Sequence, residues 1–434
     1  MKFKAAVLQK SVVVLAAVLF LGSAAFAGEV DKLATMLAEK GIISYGEAQR
    51  IITETKEDMK QLTATGKNET VPLWVQTLKM SGDIRIRVQT NSNKNDAADT
   101  HAERVRVRER VRFGFETMAS EGLKAAFGIA TGAGAGRDLA NIGDKNPTSG
   151  NHTFEAFNKI PIFLDFAYLQ YEAADWMRIS IGKVKSGIHA WMPSQLIWKN
   201  DVNPDGLAFN FTRKLNSDFS FFGNVGLYVL GESRKGSGAG SNLTNMPAIV
   251  IAQPGIDYKY DKFSAKVGIA LHQFYLKDRL VRSNEAGVWF QSGRQTADYT
   301  LINPGWDLKY REVVSKYAVS LSGDYSVNVN EDFTNAEGKD KQSYIVCLGF
   351  GDDRVSGFGT WQVKGAYRNV GIAAMPLGFG NTDAYSANPG KGFEYSLTAG
   401  LLKSLNGVIT FYDMTNPDGK NAEQLAQFDL VYRF

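Results

Sequence analysis

Residues 103–116 read ERVRVRERVRFGFE. Arg104, Arg106, Arg108, Arg110 and Arg112 take every second position, and Val105, Val107, Glu109, Val111 and Phe113 fill the places between. On a helix, positions two apart are rotated by about 200°, which would scatter the guanidiniums around the cylinder. On a strand they form one row, and β-branched valines favour that state. The stretch predicts a strand with one strongly basic face and one mostly apolar face.

The same two-residue period runs outward from this stretch. From Leu78 to Phe434 about 16 segments read as strands, starting with Lys79–Thr90 and Glu103–Met118 and ending with Gly407–Met414 and Gln424–Phe434. In the first of these, Ile84, Ile86 and Val88 alternate with Arg85, Arg87 and Gln89. The connections alternate in length. Short turns such as 119–122, 173–175 and 259–262 separate long segments such as 91–102, 132–158, 188–204, 276–297 and 415–423. Short turns on one side and long loops on the other mark an up-and-down transmembrane barrel. The expected fold is therefore all-β, an antiparallel barrel over residues 76–434. The last strand alternates Phe428, Leu430, Tyr432 and Phe434 with Asp429, Val431 and Arg433. Ending on Phe434 with Tyr432 before it, it is similar to the assembly signal that barrel-assembly machinery reads in outer-membrane proteins.

The start of the chain sets the compartment. Lys2, Lys4 and Lys10 precede the apolar run Val12–Leu21, and Ala25-Phe26-Ala27 fits a signal-peptidase site. The run is too short for a comfortable spanning helix. Residues 1–27 are expected to be removed from the 434-residue chain, leaving 407. The segment takes three lysines and no acid with it, so the formal charge falls from +4 to +1. A nearly neutral mature chain makes the arginine row a local concentration and argues against a nucleic-acid binder. The expected address is the outer membrane. Residues 28–75 carry helical spacing instead: Leu33, Met36 and Leu37, then Ala48, Ile51 and Ile52. Gly41 fits a helix end, and Ser44-Tyr45-Gly46-Glu47 fits a capping box. A short periplasmic helical hairpin followed by a linker is expected there.

Barrel geometry assigns the two faces of the arginine strand. A lipid-facing Arg at the bilayer midplane costs roughly 2–4 kcal/mol, so several in a row must face the lumen. Arg85 and Arg87 face inward by the same parity, making Arg85, Arg87, Arg104, Arg106, Arg108, Arg110 and Arg112 an anion-attracting pore lining. Arg108, Arg110 and Arg112 are expected at membrane depth, Arg104 and Arg106 at the outer mouth. The inward positions Lys124, Ala126, Gly128 and Ala130 of the next strand bring no acid, so neither adjacent strand offers an obvious carboxylate. Two readings stand: a wall that draws anions, or a ladder neutralised by acids such as Glu155, Asp165 or Asp205. Glu109 breaks the pattern, either as a charge near the outer interface, where it could share divalent cations with lipopolysaccharide, or because a bulge resets the parity.

Other groups carry less. Trp191 and Trp198 sit in a long connection and fold inward to narrow the pore, stack on sugars, or join an interfacial belt, the commoner role. His101, His152, His189 and His272 lack metal-ligand spacing. Gly132–Gly136 lacks the Lys-Ser/Thr of a phosphate loop, and Cys347, the single cysteine, reads as a small buried apolar residue. No catalytic set stands out, and no cofactor or metal is expected.

Several stretches resemble the bacterial "putative porin" family: Phe127–Gly132, Asn146–Ser149, Ile162–Leu169, Ile181–Lys183, Trp191–Trp198, Asp201–Gly206 and Lys391–Tyr395. Glu39–Ile43 and Glu47-Ala48 are similar to the N-terminal segment of that family and of phosphate-selective porins. The resemblance implies a passive diffusion channel for small hydrophilic or anionic solutes, set in outer-membrane lipid and lipopolysaccharide and assembled as a homo-oligomer, a trimer. The alternative reading is a barrel sheath around a periplasmic electron-transfer partner.

Overall fold

The structure is a computed structural model. It describes residues 35, 37–39, 44–65, 71–95, 100–132, 152–154, 159–231, 246–276, 280–281, 293–294, 297–331, 340–376, 379–380 and 389–434. The expected signal segment, Gly41, most of the 132–158 connection and Glu155 lie outside these residues. The chain divides into two units, Met1–Gln76 and Thr77–Phe434.

The first unit holds helix α1 (Tyr45–Thr65) and the one-turn helix α2 (Leu73–Gln76). The capping box forms as the sequence predicts. The Ser44 backbone N–H donates to Glu47 Oε2 at 2.8 Å, and the Glu47 N–H donates back to Ser44 Oγ at 3.2 Å. Two donors that the helix start would leave unsatisfied are thereby bonded. Ala38, in a helical stretch ahead of α1, is buried against Ala48 and Ile52.

The second unit is a closed barrel of sixteen antiparallel strands. The first eight are β1 (Lys79–Asn95), β2 (Thr100–Ser120), β3 (Leu123–Thr131), β4 (Ile162–Ala174), β5 (Met177–Lys183), β6 (Asp205–Lys214), β7 (Phe219–Val229) and β8 (Ala248–Tyr260). The rest are β9 (Phe263–Tyr275), β10 (Tyr299–Val314), β11 (Tyr317–Asn328), β12 (Gln342–Gly351), β13 (Trp361–Val370), β14 (Gly390–Leu402), β15 (Leu405–Thr415) and β16 (Asn421–Arg433). Each pairs with the next, and β1 closes the ring on β16 from Asp83↔Arg433 to Asn95↔Asn421. A two-residue strand, His152–Thr153, adds to β2 beyond the end of β3.

Two expected long loops are shorter than their sequence reads. β1 and β2 stay paired as far as Asn95↔Thr100, and β15 and β16 as far as Thr415↔Ala422. Polar Asn, Ser and Lys residues read as loop, but above the hydrocarbon a polar strand still satisfies its backbone by pairing.

Side-chain alternation then sorts the two faces. Ile84, Ile86 and Val88 on β1, Val267, Ile269 and Leu271 on β9, and Phe428, Leu430 and Tyr432 on β16 all point outward and are exposed. Aromatic groups edge the turn side of this apolar wall: Phe113, Phe115 and Phe127 beside Phe434, Trp176 on Phe211, and Tyr317 with Phe350 and Trp361. Gly82 makes the C-terminal contact possible, because a Cβ there would meet Arg112 O at 2.3 Å and the Phe434 ring at 2.6 Å. Gly82 and Phe434 also exchange backbone hydrogen bonds of 3.0 and 3.2 Å.

The largest apolar core lies inside the barrel. The connection from Val184 to Pro204, between β5 and β6, folds into the lumen instead of standing outside. Its Leu196, Ile197 and Trp198 are almost fully buried against Tyr228, Ile249, Ile251, Phe274, Leu301 and Phe379. A water-filled barrel has no reason to carry Ile249, Ile251, Phe274 and Leu301 on its inner face, and the loop explains them.

Candidate functional site

The inner faces of β16, β1, β2 and β3 form one wall. The β1–β2 register runs unbroken from Lys79↔Glu116 to Asn95↔Thr100, which puts Arg85 opposite Arg110, Arg87 opposite Arg108, and Gln89 opposite Arg106. All seven predicted arginines share the inner face, with Arg85, Arg87, Arg108 and Arg110 buried. The unbroken register also excludes a bulge at Glu109, which stands opposite Ile86 on the outward row and next to His152.

Directly opposed like charges destabilise a sheet, so the wall needs counter-charges. The expectation that neighbouring strands bring no carboxylate is overturned by Asp83 and Asp429. Asp83 shares the parity of Arg85 and stands opposite Arg112. Its Oδ1 accepts from Arg110 Nε and Nη2 at 3.0 and 2.8 Å, and its Oδ2 from Arg112 Nε at 2.6 Å. Asp429 lies on β16, opposite Arg87 across the closure. It takes Arg87 Nε and Nη2 at 2.7 and 2.8 Å, a paired-fork contact, and sits 4.0 Å from Arg85. Arg108 donates to Gln89 Oε1 at 3.1 Å, and Asn91 to Glu423 Oε1 at 2.7 Å. Of the acids expected to pair with the ladder, Asp205 bonds Lys183 at 3.0 Å and Asp165 accepts from Asn203 at 2.9 Å.

Positive charge still exceeds negative on this wall. By register the inner face carries Lys79, Arg85, Arg87, Arg104, Arg106, Arg108, Arg110, Arg112, Lys124 and Arg433 against Asp83, Glu116, Glu423 and Asp429.

The inward loop faces the wall from the other side of the lumen. It carries both predicted tryptophans, and neither joins the interfacial belt expected as the commoner role. Trp198 is 1% exposed, with its ring 5.1 Å from Phe379 and 4.5 Å from His189. Trp191 exchanges backbone hydrogen bonds of 2.8 and 2.7 Å with the side chain of Gln253 on β8, and Lys266 on β9 sits 4.9 Å over its ring. At the tip, Ser194 donates to Asp324 on β11, Arg368 on β13 donates to Gln195 O at 3.3 Å, and Pro193 packs at Gly305 of β10. The loop thus spans from β5 to the strands opposite. A belt tryptophan needs a lipid-facing position, whereas these sit on the inner side with polar and apolar partners to match.

Between loop and wall lies a cavity of about 500 Å³, bordered by Asp83, Arg112, Asp165, Lys185, Asp201 and Asn203. Asp201 comes from the loop and places Oδ1 3.5 Å from Arg112 Nη1 and 3.8 Å from Arg110 Nη1. His189 is enclosed in the loop's apolar cluster, and neither ring nitrogen has a hydrogen-bond partner among the described residues. Burial, with His272 alongside, pushes its pKa down to about 3. No cluster among the described residues is suited to a metal ion. Sequence reading missed Asp83, Asp201 and Asp429; the first was available by parity, and the third by closing the ring.

A sixteen-stranded, outwardly apolar barrel with a polar wall and an inward loop is the architecture of an outer-membrane channel of the porin class. Residues 89–309 match the model of the family described as "Putative porin", and the chain belongs to that family. Among solved structures, OprB of Pseudomonas putida at high pH is 13% identical over 82% of this chain and 94% of its own, with a TM-score of 0.51. A double mutant of Rh. blastica porin is 10% identical over 82% of this chain and all of its own, at a TM-score of 0.41. Vibrio cholerae OmpT with a loop deleted is 8% identical over 82% and 99%, at 0.43. No curated protein matches the chain. Family and fold point to a channel rather than an enzyme.

Proposed function

We propose that the protein lets small hydrophilic solutes diffuse passively across the outer membrane, and that its arginine wall draws anions into the narrowest part. The observation that carries this is the excess of cations over carboxylates on the wall bordering the cavity. Inside a lumen walled by low-dielectric protein, such an excess raises the local anion concentration, and guanidiniums offer planar two-point contacts to carboxylate and phosphate. The solute path is eccentric: it runs along β16–β3, because the loop fills the lumen on the β7–β13 side.

The remaining assignments extend this reading. Residues 1–27 direct export and are removed, residues 28–75 lie in the periplasm, Tyr432 and Phe434 serve the assembly machinery, and the barrels associate as trimers. The sheath reading gains no observation, since the loop takes up lumen that a guest protein would occupy.

Purified, folded protein in planar bilayers tests the channel. Steady, ungated conductance steps are expected. Folded protein that gives none contradicts the proposal.

A further inference from the structure

Among the described residues, two kinds of carboxylate meet the lower arginines. Asp83 is borne by a barrel strand, nearly buried, and bonds Arg110 and Arg112 at 2.6–3.0 Å through their Nε atoms and Arg110 Nη2. Asp201 is borne by the loop, and 27% of its side chain is exposed. It contributes one oxygen, Oδ1, at 3.5 and 3.8 Å from the Nη1 atoms of Arg112 and Arg110. Tight charge-assisted contacts measure about 2.7–2.9 Å, so Asp201 sits at the right place but loosely. The barrel has satisfied one edge of each guanidinium and left Nη1 of both near a single oxygen of Asp201, which borders the cavity together with Arg112. Arg110 is 9% exposed there, and Arg112 33%.

We infer that the converging Nη1 edges of Arg110 and Arg112 form a binding subsite for one oxyanion of a permeating solute, a carboxylate or phosphate, and that Asp201 is a built-in competitor for it. This rests on the anion reading of the wall. The loop carboxylate stands in for the solute: its oxygen marks where an anion oxygen would be held by two guanidiniums at once. A solute oxyanion displaces Asp201 and leaves Asp83 in place, because Asp83 is held by three shorter contacts from two residues. The competitor keeps the subsite from trapping anions. Conduction requires binding weak enough to leave, and a loop carboxylate returning to the arginines hastens release.

The test is block of chloride current through full-length protein in planar bilayers, with potassium succinate or inorganic phosphate added to one side. Asp201→Asn should lower the half-blocking concentration about threefold, as removal of a partly exposed, loosely held carboxylate allows. Asp205→Asn is the control. It removes the same charge at the loop's end, where Asp205 pairs with Lys183 and touches neither arginine. It should leave the block unchanged. A response to succinate alone makes the subsite one for carboxylates, and a response to phosphate alone one for phosphates. Equal shifts in the Asp201 and Asp205 variants, or no shift in either, overturn the inference. If the wild-type pore still prefers anions in that case, the wall reading survives; if it lacks both preference and block, that reading fails as well.

Discussion

The two sides of this lumen solve the same problem in opposite ways. Both bury side chains inside a barrel that needs an aqueous path. The wall of β16–β3 does it with charge: opposed arginines held by Asp83, Asp201 and Asp429. The β7–β13 side does it with apolar packing, where Trp198 of the loop packs among Phe379, Tyr228 and Phe274. On the proposed reading the charged wall exchanges its partners with solute, and the packed side does not. The comparison implies that mutations on the packed side change how wide the pore is, and mutations on the wall change which ions use it.

The largest effect should come from the packed side. Trp198→Ala removes an almost fully buried ring, a loss of about 3–5 kcal/mol for a buried aromatic. The barrel persists, held by its ladders, but the loop loses its anchor. Single channels should become larger and noisier, and the loop should become open to protease. Unchanged channels and an uncut loop would show that the packing does not hold it.

Asp83→Asn comes next. Breaking a buried ion pair costs about 3–5 kcal/mol, and a third of Arg112 is exposed, so about 2 kcal/mol is a fair discount here. The denaturation midpoint should fall while conductance stays near its normal size. Asp83→Asn combined with Arg112→Gln should recover part of the loss, since a cycle isolates their coupling. Additive losses would mean that Asp83 does not act through Arg112.

Acid loosens the packed side by degrees, through His189. His189 must be neutral to stay enclosed, with its pKa lowered from 6.5 to about 3. In a released loop it would titrate near 6.5. The inward loop is therefore fully stable above about pH 6.5 and weakens as pH falls toward 3, by up to about tenfold in the in–out equilibrium per pH unit. Channel noise should rise between pH 6 and pH 4, and His189→Phe should abolish that rise. A rise that persists in the variant would assign it to another group.

Most of the barrel was legible because its signal is local. Period-two alternation and turn chemistry placed strands such as Leu123–Thr131 and Phe263–Tyr275 at the residues observed. The arginine row fixed its own facing. The inward loop was not legible, because Val184–Pro204 has no period and its partners, Phe379 and Tyr228 among them, lie far along the chain. Asp83 was within reach, one step before the alternation was read, while Asp201 depended wholly on where the loop goes.

The central claim is that the arginine wall borders the conducting path. The most direct measurement is the reversal potential of single channels in a potassium chloride gradient. The wild-type pore should reverse on the anion side, and Arg108, Arg110 and Arg112 changed together to Ser should move the potential toward cations. An unchanged potential in that variant would contradict the claim and leave the ladder a structural, self-neutralised feature.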